Sequence, residues 1–371
     1  MSFAIQHSAL RDLYDKVVAG ERLSDADALR VFESKDINAV GAIADFARQR
    51  KVGNRASYIL NRYLNYSNYC ILSCQFCSFA RKKRDADGFE LTLEQMVQKA
   101  RQALALGITE LHIVGGLHPS LPFSYYVDFL KALKALDPRL QLKCFTAIEI
   151  LHLAWLGKRS VEQTLLELKA AGLASLTGGG AEIFRKEVRS AIARGKESAE
   201  EYLDVHRIWH RLGGRSTCTM LFGHVEKLAD RVHHLSLLRA LQDETHGFTG
   251  FVPLPYQPEN NGIPVHTPPT GFDQLRTIAV SRLYLDNFDH ITAYWVGMGL
   301  KLAQVALSYG ADDLHGTILE EHIFHMAGAK SPQLQTEAEM VKAIREAGRV
   351  PVQRNTFYEV VKEWGPMLAT A

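Results

Sequence analysis

The sequence lacks long apolar runs and carries almost no net charge. Nowhere among its 371 residues do about 18 apolar residues follow one another, the length that a membrane-spanning helix requires. Residues 1–10 contain no cationic stretch followed by an apolar core, as a secretory leader would. Lys and Arg number 43 against 41 for Asp and Glu, so no strong field attracts nucleic acid or an anionic membrane. We therefore expect a cytoplasmic protein without nucleic-acid or membrane partners.

Cysteine is also scarce, and the five cysteines are unevenly placed. Three of them lie within eight positions, a spacing that serves a structural disulfide framework poorly. Apolar residues make up 47% of the chain and charged residues 23%, which provides a large core and argues against disorder along most of the length. We interpret the clustered cysteines as metal ligands of a globular protein in a reducing compartment.

The order of apolar segments predicts the fold. Residues 1–60 have helical patterns, with Ser24 and Asp27 as a capping box, and from about residue 62 short apolar segments alternate with longer amphipathic ones, as in βα units around a parallel sheet. These patterns predict a (β/α)8 TIM-type barrel over residues 61–330, an N-terminal helical extension over 1–60 and a C-terminal extension over 331–371 packed on the barrel. The predicted strands lie near Arg62–Tyr69, Glu110–Gly115, Gln141–Ala147, Leu173–Thr177, Ser216–Phe222, Phe248–Pro253, His290–Trp295 and Asp313–Thr317.

The most informative segment is the loop after the first predicted strand, which contains Cys70, Cys74 and Cys77. The spacing C-x3-C-x2-C brings three thiolates to one side of a tight loop, and no fourth cysteine is nearby. A structural zinc site needs four protein ligands, whereas a [4Fe–4S] cluster with one open iron can accept a substrate. Buried free cysteines, or a zinc site completed by histidine, remain alternatives. Cys144 and Cys218 lie within apolar strands and are interpreted as small core residues.

Two glycine segments follow later predicted strands. Glycine lets the backbone approach a ligand closely, and a glycine run that opens a helix presents N–H groups to an anionic or hydroxyl-rich ligand. Glu182 is a candidate acceptor for a ribose, and Arg185 or Arg189 for pairing with a carboxylate. A plain turn or a hinge remains the alternative. The glycines are Gly115 and Gly116 after the second strand, and Gly178, Gly179 and Gly180 after the fourth.

Several polar residues near strand ends are weaker candidates for catalysis, because a single histidine is more often structural. They are His118, His224, Glu226, His290 and Tyr294.

The cysteine loop resembles the C-x3-C-x-Φ-C sequence of the radical S-adenosylmethionine (SAM) superfamily, with Phe76 as the aromatic residue. The resemblance implies a barrel of the radical SAM kind, in which Cys70, Cys74 and Cys77 hold a [4Fe–4S] cluster and the open iron binds SAM. One electron, from a donor such as flavodoxin or ferredoxin, then splits SAM into methionine and a 5′-deoxyadenosyl radical. The same resemblance assigns the glycine segments and Glu182 to cofactor binding.

One position departs from the superfamily pattern. Where many members have Gly-Gly-Glu, and the Glu receives the SAM amino group, this chain has Leu117 after Gly115 and Gly116. The backbone carbonyls of the two glycines are then expected to take over that contact.

Longer strings resemble the aminodeoxyfutalosine synthase family of the futalosine route to menaquinone. The strings are HIVGGLHP (112–119), FTAIEI (145–150), TGGGAEIF (177–184), LQDET (241–245) and HITAYW (290–295). In related families an SPPE-like string is expected in place of FTAIEI. Near the C-terminus the chain reads PVQRNT (351–356), where PVERDT is expected.

The family implies a small-molecule reaction in which SAM is consumed as a substrate. The adenosyl radical adds to the enol-ether double bond of 3-[(1-carboxyvinyl)oxy]benzoate, and rearrangement with loss of a carboxyl group gives 6-amino-6-deoxyfutalosine. The alternatives are a sibling radical enzyme that recyclises dehypoxanthine futalosine, a deazaflavin-type synthase, and a non-catalytic iron–sulfur or zinc protein.

Overall fold

A computed structural model describes residues 3–365 of the chain. Residues 1–2 of the predicted N-terminal extension and 366–371 of the C-terminal one lie outside the described residues. The helices are α1 (Phe3–Gln6), α2 (Arg11–Ala19), α3 (Asp25–Glu33), α4 (Ile37–Val52), α5 (Leu93–Leu104), α6 (Phe123–Lys134), α7 (Ala147–Gly157), α8 (Val161–Ala171), α9 (Lys186–Ile192), α10 (Ala199–Arg211), α11 (Leu228–Thr245), α12 (Gly271–Tyr284), α13 (Trp295–Met298), α14 (Leu300–Ala306), α15 (Ile323–Met326) and α16 (Glu337–Glu346).

The helical start of the chain ends earlier than the sequence suggested. The capping box at the start of α3 is present, with Ser24 accepting from the backbone of Asp27 and the Asp27 carboxylate accepting from the backbone of Ser24. Helix α4 ends at Val52, and the first strand already begins at Arg55. Among the helices of the described residues, none combines the length and the apolar character that crossing a membrane requires.

Parallel strand pairing dominates the sheets. One sheet has the order β2-β3-β4-β5-β6-β7, and the second has the order β10-β9-β1-β8 with β10 antiparallel to β9. The strands are β1 (Arg55–Ile59), β2 (Asn61–Leu64), β3 (Glu110–Ile113), β4 (Gln141–Cys144), β5 (Leu173–Leu176), β6 (Arg215–Phe222), β7 (Phe248–Pro255), β8 (Asp313–Gly316), β9 (Val350–Arg354) and β10 (Val360–Glu363).

The two sheets join into one ring of parallel pairings. Strands β1 and β2 follow each other with only Leu60 between them, and β8 pairs with β1. On the other side, single bridges from Phe251 to Ile291 and from Thr292 to Asp313 lead from β7 to β8. The TIM-type (β/α) fold is therefore confirmed.

The predicted strands at 290–295 and 62–69 differ most from the observed ones. At 290–295 only the two bridging residues pair, because α13 begins directly afterwards at Trp295. The first predicted strand, Arg62–Tyr69, ends as a strand at Leu64. Beyond that point the side chain of Asn65 donates to the carbonyl of Val114 (2.9 Å), so the chain leaves the sheet and starts the cysteine loop.

The C-terminal part of the chain contributes to the barrel interior. Strand β9 lies parallel to β1, and Arg354 at its end forms a double hydrogen bond with Asp313 (2.7 and 3.0 Å). Thr356 donates to the buried carboxylate of Glu110 (2.9 Å). Asp313 and Glu110 are the first residues of β8 and β3. These contacts therefore close the end of the barrel opposite the cysteine loop, where barrel folds place stabilising residues.

Candidate active site

One cavity of about 280 Å³ brings together every residue predicted to hold the cluster or to bind the cofactor. It opens at the carboxyl ends of the strands, where the cysteine loop follows β2 and the glycine segments follow β3 and β5. Barrel enzymes place their chemistry at this end. The predicted residues that line it are Cys70, Cys74, Cys77, Phe76, Gly115, Gly116, Gly178, Gly179, Gly180 and Glu182.

The cysteine loop is held in place by hydrogen bonds from several directions. The backbone N–H of Gln75 donates to the carbonyl of Ile192 (2.7 Å), and that of Ile71 donates to Leu117 (3.0 Å). The ammonium group of Lys82 donates to the carbonyls of Cys70 and Leu72 (2.8 and 2.7 Å), among others. The surrounding chain therefore fixes the loop geometry, so the cysteines are already positioned for a ligand.

The thiols suit an iron–sulfur cluster in their chemistry. All three are free, and burial raises the pKa of Cys74 to about 12, so its thiolate needs a bound cation to form readily. Within residues 3–365, no three His, Cys, Asp or Glu side chains come close enough to share a single metal ion. A four-iron cluster bonds each thiolate to a different iron, so its ligands do not need that proximity.

The glycines after β3 are required by the cysteine loop itself. A Cβ on Gly116 would lie 2.2 Å from the carbonyl oxygen of Tyr69, and one on Gly115 would lie 2.5 Å from the ring of Tyr66. Leu117, which stands where the superfamily pattern has Glu, is buried. This turn therefore packs directly against the start of the loop, and only glycine fits there.

The glycines after β5 have three different environments. A Cβ on Gly178 would lie 2.6 Å from the backbone of Cys218, and Gly180 has a φ of +95° that favours glycine. A Cβ on Gly179 would meet only the Cγ2 atom of Thr146, at 3.1 Å. Gly178 and Gly180 are thus needed by the fold, whereas Gly179 borders the open cavity. The expectation that the run opens a helix is wrong, since α9 begins only at Lys186.

The carboxylate of Glu182 lies next to a lysine. Its carboxylate pairs with the ammonium group of Lys196 at 2.5 Å, and both side chains line the cavity. Burial alone would lower the pKa of Lys196, but the carboxylates of Glu182 and Glu197 outweigh burial and raise it above its ordinary value. The Lys196 nitrogen also lies 5.3 Å from the centre of the Phe76 ring. Lys196 was not singled out in the sequence and is stably protonated here.

The two arginines considered as carboxylate partners do not line the cavity. Arg189 is buried, and it donates to the carbonyls of Ala181 (2.6 Å) and Gly180 (3.1 Å). Arg185 pairs with Asp230 at the protein surface (3.1 Å). Arg189 therefore supports the glycine segment from behind rather than facing a ligand.

Of the weaker candidates, only Tyr294 reaches the cavity. His118 bonds to Glu90 (2.7 Å), and the ring of His224 bonds to the carbonyl of Leu221 (3.1 Å). The last two side chains make local contacts: the carboxylate of Glu226 accepts from Gly223 and His224, and His290 pairs with Asp312 and stacks on Tyr358.

Glu149 is a central residue of the site that the sequence interpretation did not single out. It is buried and accepts four hydrogen bonds, two from Thr146 (2.8 and 2.7 Å), one from the Gly115 backbone (3.0 Å) and one from the Tyr66 hydroxyl (2.8 Å). It therefore ties the start of α7 to the glycine turn after β3. The capping-box pattern T-x-x-E at 146–149 was a signal that could have identified it.

The barrel interior below the loop adds polar residues that were also missed. These side chains come from five strands and line the same cavity as the cysteines. A lysine between the apolar residues Leu142 and Cys144 of β4 was the available signal. The residues are Tyr63, His112, Lys143, Thr217 and His315.

Comparison with known protein families agrees with these features. Residues 64–238 match the family described as the radical SAM superfamily, and residues 245–366 match the family described as the CofH/MqnC C-terminal region. The first match covers the cysteine loop and both glycine segments. The second covers β7, β8 and the C-terminal strands.

Similar proteins match over nearly the whole chain. The aminodeoxyfutalosine synthase of Thermus thermophilus is 41% identical over 97% of this chain and 98% of its own length, and that of Streptomyces coelicolor is 43% identical over 96% and 95%. The cyclic dehypoxanthine futalosine synthase of Streptomyces coelicolor is 40% identical over 94% and 88%.

A solved structure supports the fold at lower identity. The crystal structure of methylornithine synthase superposes with a TM-score of 0.74 at 18% identity, covering 92% of this chain and 97% of the other. The chain therefore belongs to the radical SAM superfamily, whose enzymes use a [4Fe–4S] cluster and SAM, and within it to the group that includes aminodeoxyfutalosine synthase.

Proposed function

We propose that the protein is an aminodeoxyfutalosine synthase of menaquinone biosynthesis. The observation that carries this proposal is the location of the string FTAIEI, which favours the synthase over its siblings. Three of its residues, Thr146, Ile148 and Glu149, line the cavity beside the cysteine loop. The string therefore belongs to the reaction site, where a difference between related enzymes changes substrate choice.

The three cysteines Cys70, Cys74 and Cys77 would hold the [4Fe–4S] cluster. When bound, the cluster supplies the electron that splits SAM into methionine and a 5′-deoxyadenosyl radical. Much of the wall is apolar, which excludes water and protects a reactive species from side reactions. The apolar residues around the loop include Leu72, Phe79, Val114, Leu221 and Leu254.

The remaining predicted residues would position SAM. Gly179 leaves the backbone open to the cavity, and Glu182 offers a carboxylate oxygen to the ribose hydroxyls. The single hydroxyl hydrogen of Tyr66 goes to the closer acceptor, the Glu149 carboxylate (2.8 Å), rather than to the carbonyl of Gly116 (3.2 Å). The contact with the SAM amino group would therefore fall to the carbonyls of Gly115 and Gly116, within a turn that Glu149 holds.

Substitution of Gly179 tests the SAM site. We expect Gly179→Val to weaken SAM binding by about tenfold or more, or ~1.4 kcal/mol, because the side chain would enter the space that SAM occupies. Iron content should be unchanged, since the cysteines are untouched. Equilibrium titration of the reconstituted protein with SAM measures the effect.

Gly365→Val is the matched control, because a Cβ at Gly365 meets no atom of residues 3–365 within 4 Å. It should bind SAM as the wild type does. Unchanged SAM affinity in a folded, iron-loaded Gly179→Val protein would exclude Gly179 from the SAM site.

Isotope labelling tests the proposed reaction. With SAM labelled in its ribose, dithionite and 3-[(1-carboxyvinyl)oxy]benzoate, we expect the label in a covalent product, with equal amounts of methionine released. The acceptor should release a carboxyl group in the same stoichiometry, because the proposed rearrangement proceeds with loss of one carboxyl group per product. Mass spectrometry of the anaerobic reaction measures all three quantities.

A sibling that abstracts hydrogen gives a different result. It would turn over dehypoxanthine futalosine, release labelled 5′-deoxyadenosine in proportion to turnover and leave no adenosine carbon in its product. That outcome would reject the synthase and retain the radical SAM enzyme. A trace of uncoupled 5′-deoxyadenosine occurs with either enzyme, so the label in the coupled product decides between them.

A further inference from the structure

Three neighbouring strands place polar side chains at one level inside the barrel. Tyr63 on β2 is the register partner of His112 on β3, and His112 is the partner of Lys143 on β4. All three line the same cavity as the cysteines. The cavity therefore runs from the cysteine loop at the mouth to a polar floor within the barrel.

Lys143 is a buried lysine whose ammonium group has no direct partner among the described residues. The residue is 4% exposed and lines the cavity, and within residues 3–365 no carboxylate lies within 4.0 Å of its ammonium group. Burial lowers the pKa of Lys143, and the carboxylates of Glu110 and Asp313 oppose that shift. Glu110 is already bonded to Asn61 (3.0 Å) and Thr356 (2.9 Å). Since a buried charge without a direct partner is costly, an anion from outside the chain would stabilise the charged form of Lys143.

The groups around Lys143 do not supply that anion. Arg354 is a cation itself and is paired with Asp313. Burial lowers the pKa of His112 well below its ordinary value and that of His315 to about 4, so both rings are neutral near pH 7. Among the described residues, their Nδ1 atoms have no hydrogen-bond partner. Lys143 is thus the single free cation of this floor, within the described part of the chain, beside two neutral rings with unused nitrogen atoms.

We propose that Lys143 binds the ring carboxylate of the acceptor, with the neutral histidines His112 and His315 beside it. This inference rests on the proposed function. The double bond that reacts must lie near the cysteine loop, so the aromatic end of the acceptor points toward the floor. A fixed cation suits the carboxylate that stays in the product, because holding the carboxylate that leaves would stabilise the ground state and slow the reaction.

Binding measurements with a matched pair of ligands test the role of Lys143. Calorimetry on the reconstituted protein compares 3-[(1-carboxyvinyl)oxy]benzoate with the analogue whose ring carboxylate is a carboxamide. We expect the wild type to bind the acid at least about tenfold more tightly than the amide. Lys143→Met should lose this preference and bind the amide as the wild type does, while Lys143→Arg should retain part of the preference.

Stability separates a binding role from a structural one. Removing a buried charge that has no direct partner should leave the thermal midpoint of Lys143→Met equal to or above that of the wild type. Lys301→Met, at an exposed lysine, should change neither the thermal midpoint nor the preference for the acid. A marked loss of stability in Lys143→Met would assign the residue to pairing with Glu110 and overturn the proposal. So would an undiminished preference for the acid in Lys143→Met. A wild type that binds neither ligand would overturn the proposed function as well.

Discussion

Cys74→Ala is expected to lose the iron–sulfur cluster and all SAM-dependent activity together. Three thiolates are the minimum that holds a cubane with one open iron, and the chain offers no fourth cysteine at the cavity, since Cys144 and Cys218 do not line it. The same loss is expected for Cys70→Ala and Cys77→Ala. Iron and sulfide content after anaerobic reconstitution, with the absorbance of the cluster, measures the effect.

The two remaining cysteines provide matched controls. Cys144 and Cys218 are fully buried in β4 and β6, so their replacement by alanine leaves small cavities and should lower the free energy of unfolding by about 1–2 kcal/mol. Both variants should keep four irons per chain, about as many as the wild type. A full cluster in Cys74→Ala, or complete iron loss in Cys144→Ala, would contradict the proposed ligand set.

Features that are local in sequence could be predicted. The cysteine loop and the run Gly178–Gly180 are each contained in a few consecutive residues, so their spacing alone indicates a shared site. The alternation of short and long apolar segments likewise predicts the barrel. The spacing does not explain why each of these positions requires glycine. The carbonyl of Tyr69 leaves no room for a side chain at Gly116, and the backbone of Cys218 leaves none at Gly178. Both contacts appear only in three dimensions.

Features that depend on convergence could not be predicted. Lys143 and His315 come from strands far apart in the sequence and meet only because the sheet closes. Strand β1 directly follows the turn at Gly53 and begins with the polar residue Arg55, so the sequence pattern does not separate it from the helical extension. Arg354 lies in the predicted extension yet pairs with a residue of β8. In each case the partner, and not the local pattern, determines the role.

Glu149→Ala is expected to damage both stability and SAM binding. The substitution removes the acceptor for two backbone N–H groups, those of Gly115 and Thr146, and leaves a cavity beside Tyr66. Unsatisfied buried donors and lost volume together should lower the free energy of unfolding by about 3–5 kcal/mol. Denaturant unfolding of the variant measures this change.

A capping box at the protein surface provides a control for ordinary helix capping. Ser198 and Glu201 form the same pattern at the start of α10, but on the surface. Glu201→Ala should therefore cost only about 1 kcal/mol and leave SAM affinity unchanged. The effect of Glu149→Gln should lie between those of Glu149→Ala and Glu201→Ala. The NH2 group of its amide is a donor and must point at a backbone N–H, which is also a donor. Equal effects of Glu149→Ala and Glu201→Ala on SAM affinity would show that Glu149 only caps its helix. A selective loss in Glu149→Ala, measured well below its unfolding temperature, is the result expected if the carboxylate holds the turn that receives SAM.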